Sequence, residues 1–257
     1  MKYQPLILAL LLTSFSVSVV SAQSLTPGND THSGTPGPDT VLGLAGDDMI
    51  LGLGGDDNIR GNRGDDRLEG GPGIDFLRGG QGDDRLLGGG STDRLAGGGG
   101  NDRLFGGGGE DVLMGGRGDD VLRGGQESDE MSGGPGDDTI YMGPGRDFMQ
   151  GGGGSDRFVL EQSSHSGPDL ARADVIMEFR PNQGDRIDLS AIDPVPGGLD
   201  DAFTSLTPGL PNSPTVLGFQ VNVGEVQLIW VDSQNQLLGW IRVDTASASL
   251  NFNDIIP

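Results

Sequence analysis

The feature that most constrains this chain is a nine-residue repeat that runs from residue 34 to residue 159 without insertion or deletion. The blocks GGQGDDRLL (residues 79–87) and GGRGDDVLR (residues 115–123) show its pattern, GGxGxDxUx, in which U is apolar. This stretch divides into fourteen blocks. A fixed period of this kind indicates a solenoid, because each repeat builds one unit that buries its apolar side only by stacking on its neighbours.

The sixth position of every block is aspartate, and the eighth position is always apolar. Clustered glycines let backbone carbonyls turn toward a common point, and a hard cation takes six to eight oxygen ligands. The pattern therefore predicts that carboxylates and carbonyls ligate a metal ion. The predicted ligands are Asp39, Asp48, Asp57, Asp66, Asp75, Asp84, Asp93, Asp102, Asp111, Asp120, Asp129, Asp138, Asp147 and Asp156.

These blocks resemble the repeats of the repeats-in-toxin (RTX), or haemolysin-type, calcium-binding family. The resemblance implies that each block forms a turn and a short strand, and that two blocks complete one coil of a right-handed parallel β-roll. It also implies that Ca²⁺ lies between stacked turns. The expected fold is all-β, with a β-roll solenoid of about seven two-repeat coils followed by a β-rich C-terminal cap.

If two blocks form one coil, aspartates 18 residues apart in sequence become neighbours in two rows of seven. Six gaps per row set a ceiling of twelve ions, and we expect about 8–12 bound Ca²⁺. The fifth-position acids are expected to face solvent: Asp47, Asp56, Asp65, Asp83, Asp119 and Asp137. Some blocks depart from the pattern: the second glycine is replaced by Thr35, Leu44, Leu53 and Asn62, and the first by Met142. Ser91 and Glu127 replace the fourth glycine, and the sequence leaves the sites in those two turns open.

The predicted core is small, since each nine-residue block buries one apolar side chain. Ordering a glycine-rich backbone costs more entropy than such a core offsets, and carboxylates in adjacent coils repel one another. We therefore expect the repeats to be disordered without Ca²⁺ and to fold when they bind it. The alternative, a solvated acidic linker, does not explain the strict ninefold phase.

The rest of the chain divides into three further segments. Residues 1–22 resemble an export signal, with Lys2, an apolar run and small residues before a cleavage site after Ala22. An uncleaved membrane anchor is the alternative, but the apolar run is short for a membrane span. Residues 23–33 are expected to be a flexible leader. We therefore expect a secreted, extracellular protein, which could remain associated with the cell surface and has no transmembrane segment after cleavage.

Residues 160–257 are predicted to form the cap. Residues 174–193 resemble the DxIxDF…GxDxIDLS segment that closes the β-roll of secreted metalloproteases. Asp174, Asp185 and Asp188 could bind a terminal Ca²⁺ or could be polar surface, and both interpretations stay open. Strands are predicted at residues 216–223, 225–231 and 237–243. The acidic and apolar tail resembles the ending of type 1 export substrates.

Composition excludes several function classes. The chain has 38 acidic and 16 basic residues, so a net charge of −22 argues against binding nucleic acid. There is no cysteine, no lysine after Lys2, and neither an HExxH nor a GxSxG motif. His32 and His165 are expected to be exposed bystanders. We predict a non-enzymatic Ca²⁺-binding protein with cell-surface or matrix components as possible partners. The alternatives are a secretion, folding or adhesion module of a larger assembly, and an enzyme with its site in the C-terminal segment.

Overall fold

The structure is a computed structural model that describes residues 22–160, 174–180 and 183–188, together with the backbone of four later strands. These residues form 22 strands and no α-helix. The strands are β1 (Gln23–Ser24), β2 (Thr31–Ser33), β3 (Thr40–Leu42), β4 (Met49–Leu51), β5 (Asn58–Arg63), β6 (Arg67–Pro72), β7 (Phe76–Gln81), β8 (Arg85–Gly90), β9 (Arg94–Gly99), β10 (Arg103–Gly108), β11 (Val112–Arg117), β12 (Val121–Gln126), β13 (Glu130–Pro135), β14 (Thr139–Met142), β15 (Phe148–Gly153), β16 (Arg157–Leu160), β17 (Asp174–Phe179), β18 (Arg186–Asp188), β19 (Leu217–Asn222), β20 (Glu225–Val231), β21 (Leu237–Thr245) and β22 (Ile255–Ile256).

Two parallel sheets form the body of the molecule. Sheet 1 contains the odd-numbered strands from β1 to β17, and sheet 2 contains the even-numbered strands from β2 to β18. Each repeat strand pairs in parallel with the strand 18 residues away, so that Leu68, Leu86 and Leu104 are in register. Two blocks therefore make one coil, and the predicted parallel β-roll is confirmed.

Most strands are longer than the three residues that the pattern predicts. A typical strand has six residues and runs from the seventh position of one block to the third position of the next. Both the eighth-position side chain and the first-position glycine of the next block face inward, because side chains alternate along a strand. The resulting core consists of two lines of apolar side chains, one from each sheet. The line on sheet 2 includes Ile50, Leu68, Leu86, Leu104, Leu122, Ile140 and Phe158.

The prediction of a flexible leader at residues 23–33 is wrong. Strand β1 pairs with β3, and β2 pairs with β4, so these residues add one coil and the roll has eight coils instead of about seven. Residues 25–33 (LTPGNDTHS) are a degenerate block that keeps the fourth-position Gly28 and the sixth-position Asp30. His32 occupies the eighth position and is half-buried, so it is not an exposed bystander.

Both sheets continue beyond the repeats. Strands β17 and β18 stack in parallel on β15 and β16, and Phe179 and Ile187 extend the core. Strand β21 then pairs with β17, β20 and β19 follow it antiparallel, and β22 pairs with β18. The three predicted C-terminal strands are thus observed within one or two residues of their expected ends. The predicted signal peptide, His165 and most of the tail lie outside the described residues.

Candidate metal centres

The first six positions of each block run from the end of one strand through the turn that connects the two sheets, and these turns line two edges of the roll. Edge 1 consists of the turns that lead from sheet 1 to sheet 2, and its row of aspartates runs from Asp48 to Asp156. Edge 2 consists of the turns that lead back to sheet 1, and its row runs from Asp39 to Asp147. All fourteen predicted aspartates thus lie in the two rows that an 18-residue coil requires.

A hydrogen-bond ladder connects the aspartates of each row. From Asp48 onward, the Oδ1 atom of each sixth-position aspartate accepts a hydrogen bond from the backbone N–H of the aspartate 18 residues earlier. The N–H of Asp84 donates to Asp102 Oδ1 at 2.8 Å on edge 1, and the N–H of Asp93 donates to Asp111 Oδ1 at 2.7 Å on edge 2. The carboxylate that closes each turn is therefore supplied by the following coil.

The second carboxylate oxygen of most aspartates is buried and has no hydrogen-bond partner. Thirteen of the fourteen side chains are at most 2% exposed, and Asp39 at the N-terminal end of its row is half-buried. Asp39 and Asp147 differ, because their Oδ2 atoms accept hydrogen bonds from the N–H groups of Thr35 and Gly143. A buried anionic oxygen without a partner is costly, so these atoms call for a cation. They belong to Asp48, Asp57, Asp66, Asp75, Asp84, Asp93, Asp102, Asp111, Asp120, Asp129, Asp138 and Asp156.

Backbone carbonyls converge on the same place. A Cβ atom built on the first-position Gly52 would clash with Asp57 Oδ2 and would lie 2.7 Å from the carbonyl oxygen of Gly70 in the next coil. Gly88 is in the same position relative to Asp93 and Gly106. The missing side chain leaves room that is lined by oxygens from two coils. Such an all-oxygen donor set fits Ca²⁺.

The ligands would have to be mainly carbonyls, because the described residues contain no group of three or more His, Asp or Glu side chains that could hold a metal ion. This explains why the glycines and the aspartate repeat together. The aspartate supplies the charge, and the glycine-rich backbone supplies the remaining oxygens.

Burial raises the pKa of the row aspartates, and neighbouring carboxylates raise it further. The pKa reaches about 8 for Asp84 and Asp129, about 7 for Asp93 and Asp120, and about 6 for Asp57. In each case the hydrogen bond from the preceding backbone N–H lowers the pKa but does not cancel the effect of burial. A divalent cation would reverse this balance, because it favours the ionised form.

Five of the fifth-position acids form a separate outer ladder on edge 1, and Asp56 lies on edge 2, where its Oδ1 accepts a hydrogen bond from the N–H of Ile74 at 2.9 Å. Their side chains are exposed, as the sequence predicts. Asp65 Oδ1 accepts a hydrogen bond from the N–H of Asp83 at 2.8 Å, and Asp119 Oδ1 accepts one from the N–H of Asp137 at 2.8 Å. These carboxylates lie outside the buried rows.

Five of the blocks that depart from the glycine pattern keep the same turn. Leu44, Leu53, Asn62, Ser91 and Glu127 all have positive φ values, between 69° and 83°. Residues other than glycine rarely adopt a positive φ, so packing between the stacked coils must impose this backbone conformation. The sites that the sequence left open therefore retain their backbone framework.

The rows extend beyond the predicted aspartates at both ends. The N–H of Asp30 donates to Asp48 Oδ1, which adds one turn at the start of edge 1. At the other end, Asp174 Oδ1 accepts from the N–H of Asp147 at 3.0 Å, and Asp185 Oδ1 accepts from the N–H of Asp156 at 3.1 Å. The sequence period could not predict these two positions, because Asp174 and Asp185 follow their hydrogen-bond donors by 27 and 29 residues instead of 18.

Asp188 lies outside the rows. Its Oδ2 atom accepts a hydrogen bond from Arg157 Nε at 2.8 Å, so its charge is balanced by an arginine. Of the three C-terminal aspartates that the sequence singled out, two therefore join the candidate metal rows and one forms an ion pair.

The sequence model of the RTX calcium-binding nonapeptide repeat matches residues 26–59, 33–68, 60–95, 87–122 and 123–158, which together cover just over half of the chain. The chain belongs to the RTX calcium-binding nonapeptide-repeat family. The match begins at residue 26, in the block that the ninefold pattern missed, and the RTX repeats therefore coincide with the eight coils of the roll.

One solved structure similar to this RTX chain is the solution structure of the AlgE6R3 subunit from the Azotobacter vinelandii mannuronan C5-epimerase. The two are 27% identical, and the match covers 69% of this chain and 80% of that one, with a TM-score of 0.30. No curated protein matches the chain. The described part of the chain has no helix that is long and apolar enough to cross a membrane.

Proposed function

We propose that this protein is an exported, non-enzymatic Ca²⁺-binding protein whose β-roll folds when Ca²⁺ enters the gaps between stacked turns. About 8–12 ions bind, each between the row aspartates and the glycine carbonyls of adjacent coils. The observation that carries this proposal is the series of buried Oδ2 atoms that have no hydrogen-bond partner. Family membership supports Ca²⁺ as the cation.

The ion is needed because the roll without it buries acids in close rows. Aspartates of successive coils lie about 4.8 Å apart, the spacing of β-strands, and at that distance like charges repel by about 1–3.5 kcal/mol per pair. Two lines of apolar side chains, with one side chain per block, have to offset this repulsion as well as the entropy of the glycine-rich turns. Each Ca²⁺ turns the repulsion within a gap into attraction.

A Ca²⁺ titration of the chelated protein tests this proposal. In EDTA we expect the far-ultraviolet circular dichroism of a disordered chain, and cooperative growth of β signal at millimolar Ca²⁺, as in other extracellular calcium modules. Calorimetry should count at least eight sites. An unchanged β signal in EDTA, or fewer than about four sites, would refute the proposal.

Two matched variants connect the titration to the rows. Asp93→Asn keeps an oxygen that can accept from the N–H of Asp75, but it removes the buried charge. Asp83→Asn makes the same change in the exposed outer ladder, where Asp83 Oδ1 accepts from the N–H of Asn101. We expect Asp93→Asn to need about tenfold more Ca²⁺ to fold, equivalent to about 1.4 kcal/mol. Asp83→Asn should stay within about twofold of the parent, and equal effects of the two changes would contradict the assignment.

The proposed role is structural, at the outside of the cell. The outer face of sheet 2 favours adhesion to acidic cell-surface or matrix components as a second candidate, because Arg67, Arg85 and Arg103 lie in register on neighbouring strands. Like charges placed directly opposite one another destabilise a sheet, and within the fold Arg85 lies over the Phe105 ring while Arg67 is near Glu69. This arginine ladder gives a strongly acidic chain a basic surface.

A further inference from the structure

The turns of the eight coils have two backbone conformations, which differ at the second position of the block. The fourteen repeats and the degenerate block at residues 25–33 give fifteen turns. In twelve of these turns the second residue has a positive φ, and we call these turns open. In the other three turns, which we call closed, the second residue lacks a positive φ and is Thr26, Thr35 or Gly143.

The conformation of the second residue determines what the second oxygen of the row carboxylate contacts. In each closed turn the N–H of the second residue donates to Oδ2 of the sixth-position aspartate, from Thr26 to Asp30 at 2.8 Å, from Thr35 to Asp39 at 2.6 Å and from Gly143 to Asp147 at 3.1 Å. The hydroxyls of the two threonines donate to the same oxygens. In the twelve open turns the corresponding Oδ2 atoms are the buried ones that have no hydrogen-bond partner. The two sets of turns coincide without exception.

The sequence explains why the first two turns are closed. Residues 26–30 (TPGND) and 35–39 (TPGPD) share the motif TPGxD. A β-branched residue disfavours a positive φ, and the residue before a proline is confined to extended conformations. Glycine is free to adopt a positive φ in the same context, because residues 71–75 (GPGID) and 134–138 (GPGDD) form open turns. Threonine therefore keeps a turn closed where glycine would let it open.

The third closed turn has a different cause, which lies at the first position of the block. Met142 replaces the first glycine, and its side chain is fully buried in the core. In an open turn a Cβ at this position would clash with the row carboxylate, as Gly124 shows for Asp129 Oδ2. Because Met142 has a Cβ, the carboxylate of Asp147 instead directs Oδ2 to the N–H of Gly143.

Open and closed turns differ in what a cation would gain by binding. An open turn buries a carboxylate oxygen that no hydrogen-bond donor reaches, and such an atom is costly until a cation binds it. In a closed turn one or two donors already satisfy the same oxygen, so a cation has less to gain there.

We propose that the open turns bind Ca²⁺ and that the closed turns bind none, which deepens the proposed function and rests on it. Within the eight coils, edge 1 then takes up to seven ions, from Asp48 to Asp156, and edge 2 up to five, from Asp57 to Asp129. Both turns of the first coil are closed. This coil therefore stacks on the roll without an ion of its own.

Native mass spectrometry of the purified chain at saturating Ca²⁺ tests this, because it counts bound ions one at a time. Thr35→Gly changes TPGPD into GPGPD, the pattern of an open turn, and Gly34 already leaves room between Asp39 Oδ2 and the carbonyl oxygen of Gly52. If the parent binds n ions, Thr35→Gly should bind n + 1. The control Thr35→Val loses the hydroxyl but keeps a β-branched residue before proline, so it should bind n.

A second pair of variants compares an open with a closed turn in adjacent coils of edge 2. Asp129→Asn should bind n − 1 ions, and Asp147→Asn should bind n. The inference is overturned if Thr35→Gly binds n ions with the circular dichroism of the parent, or if the two asparagine variants change the count equally. Should Thr35→Gly fail to fold, the asparagine pair still decides. A parent that binds no Ca²⁺ would instead refute the proposed function, whereas several bound ions with the wrong response in these variants would refute this inference alone.

Discussion

The second-position glycines in the middle of the roll have a backbone conformation and a close approach to the preceding coil that strain any residue with a side chain. Gly107 has a φ of +118°, and a Cβ atom on it would clash with the carbonyl oxygen of Gly89 in the preceding coil. Its neighbour Gly108 has open space around the position of a Cβ. Two adjacent glycines in one strand therefore have different roles.

This difference predicts opposite effects of one substitution at adjacent residues. Gly107→Ala should destabilise the Ca²⁺-loaded protein by at least about 2 kcal/mol, because backbone strain adds to a clash with backbone that cannot move aside. Gly108→Ala should be neutral or stabilise it by up to about 1 kcal/mol, by restricting the unfolded chain. Urea unfolding in saturating Ca²⁺ measures both. Equal stabilities would show that the coils are not packed this closely.

At the same scale, the sequence predicted the two rows in which the aspartates lie, but not the place of Asp185. The aspartates recur at a fixed interval, so their positions follow from the period. Asp185 follows a break of irregular length after the last block, and its place in the row of edge 1 is visible only from the hydrogen bond that it accepts from the N–H of Asp156. Asp30 was missed because its block lacks the first two glycines and has His32 at the apolar position.

At the scale of elements, each aspartate row behaves as a set of acids that prefer their protonated form when no metal is bound. The ordinary pKa of 3.8 rises to about 7 for Asp93 and to about 8 for Asp129, with burial as the main cause. Between pH 3.8 and these raised pKa values, the carboxyl groups of the unfolded chain are ionised, whereas those of the metal-free folded chain are still protonated. The metal-free fold therefore loses stability as the pH rises through this window, by up to about 1.4 kcal/mol per carboxyl and pH unit.

We therefore expect acid to substitute partly for Ca²⁺. In EDTA, lowering the pH from 8 to about 4 should increase the β signal in circular dichroism, and raising the pH again should reverse the change. In the presence of Ca²⁺ the signal should stay high at pH 8, since the cation then stabilises the ionised rows. A metal-free chain that gains β structure as the pH rises would contradict the burial of these acids.

The strands themselves were only partly predictable. The ninefold period places one buried apolar residue per block, and this residue is where the strand forms. The period does not show that the first three positions of the next block continue the strand, because glycine has no side chain whose polarity could alternate. Stacking against neighbouring coils supplies the hydrogen bonds that keep those glycines extended.

At the scale of the whole molecule, the two ends of the roll are not equivalent. Removing the first coil, residues 22–33, takes away a hydrogen-bond donor at Asp30 but leaves an acceptor for every remaining row N–H. Removing residues 161–257 takes away the acceptors of Asp147 and Asp156 and exposes the edges of β15 and β16.

We expect the C-terminal deletion to raise the Ca²⁺ concentration at half-folding by at least about tenfold, equivalent to about 1.4 kcal/mol. The N-terminal deletion should raise it less than about threefold. Circular dichroism during Ca²⁺ titration of the two shortened chains measures the difference. Similar shifts for both would show that the ends contribute equally.

The family and the architecture followed from the repeat, whereas the two ends of the roll did not. An exact period identifies a solenoid, because every internal coil packs against the same two kinds of neighbour and therefore needs the same residues. The terminal coils have a neighbour on one side only, so their residues depart from the pattern, as the blocks at residues 25–33 and 180–185 do. The first was taken for a flexible leader for that reason.

The one-way hydrogen-bond ladder has a consequence for how the chain reaches its final form. Every turn is completed by a carboxylate that comes later in the sequence, so a growing or emerging chain always has one unfinished turn at its newest coil. If the chain emerges with its N-terminus first, its coils can fold in that order, but folding stays one coil behind the part of the chain that has emerged. Folding therefore proceeds in one direction along the chain, and the last turns are completed only when residues 174–188 are present.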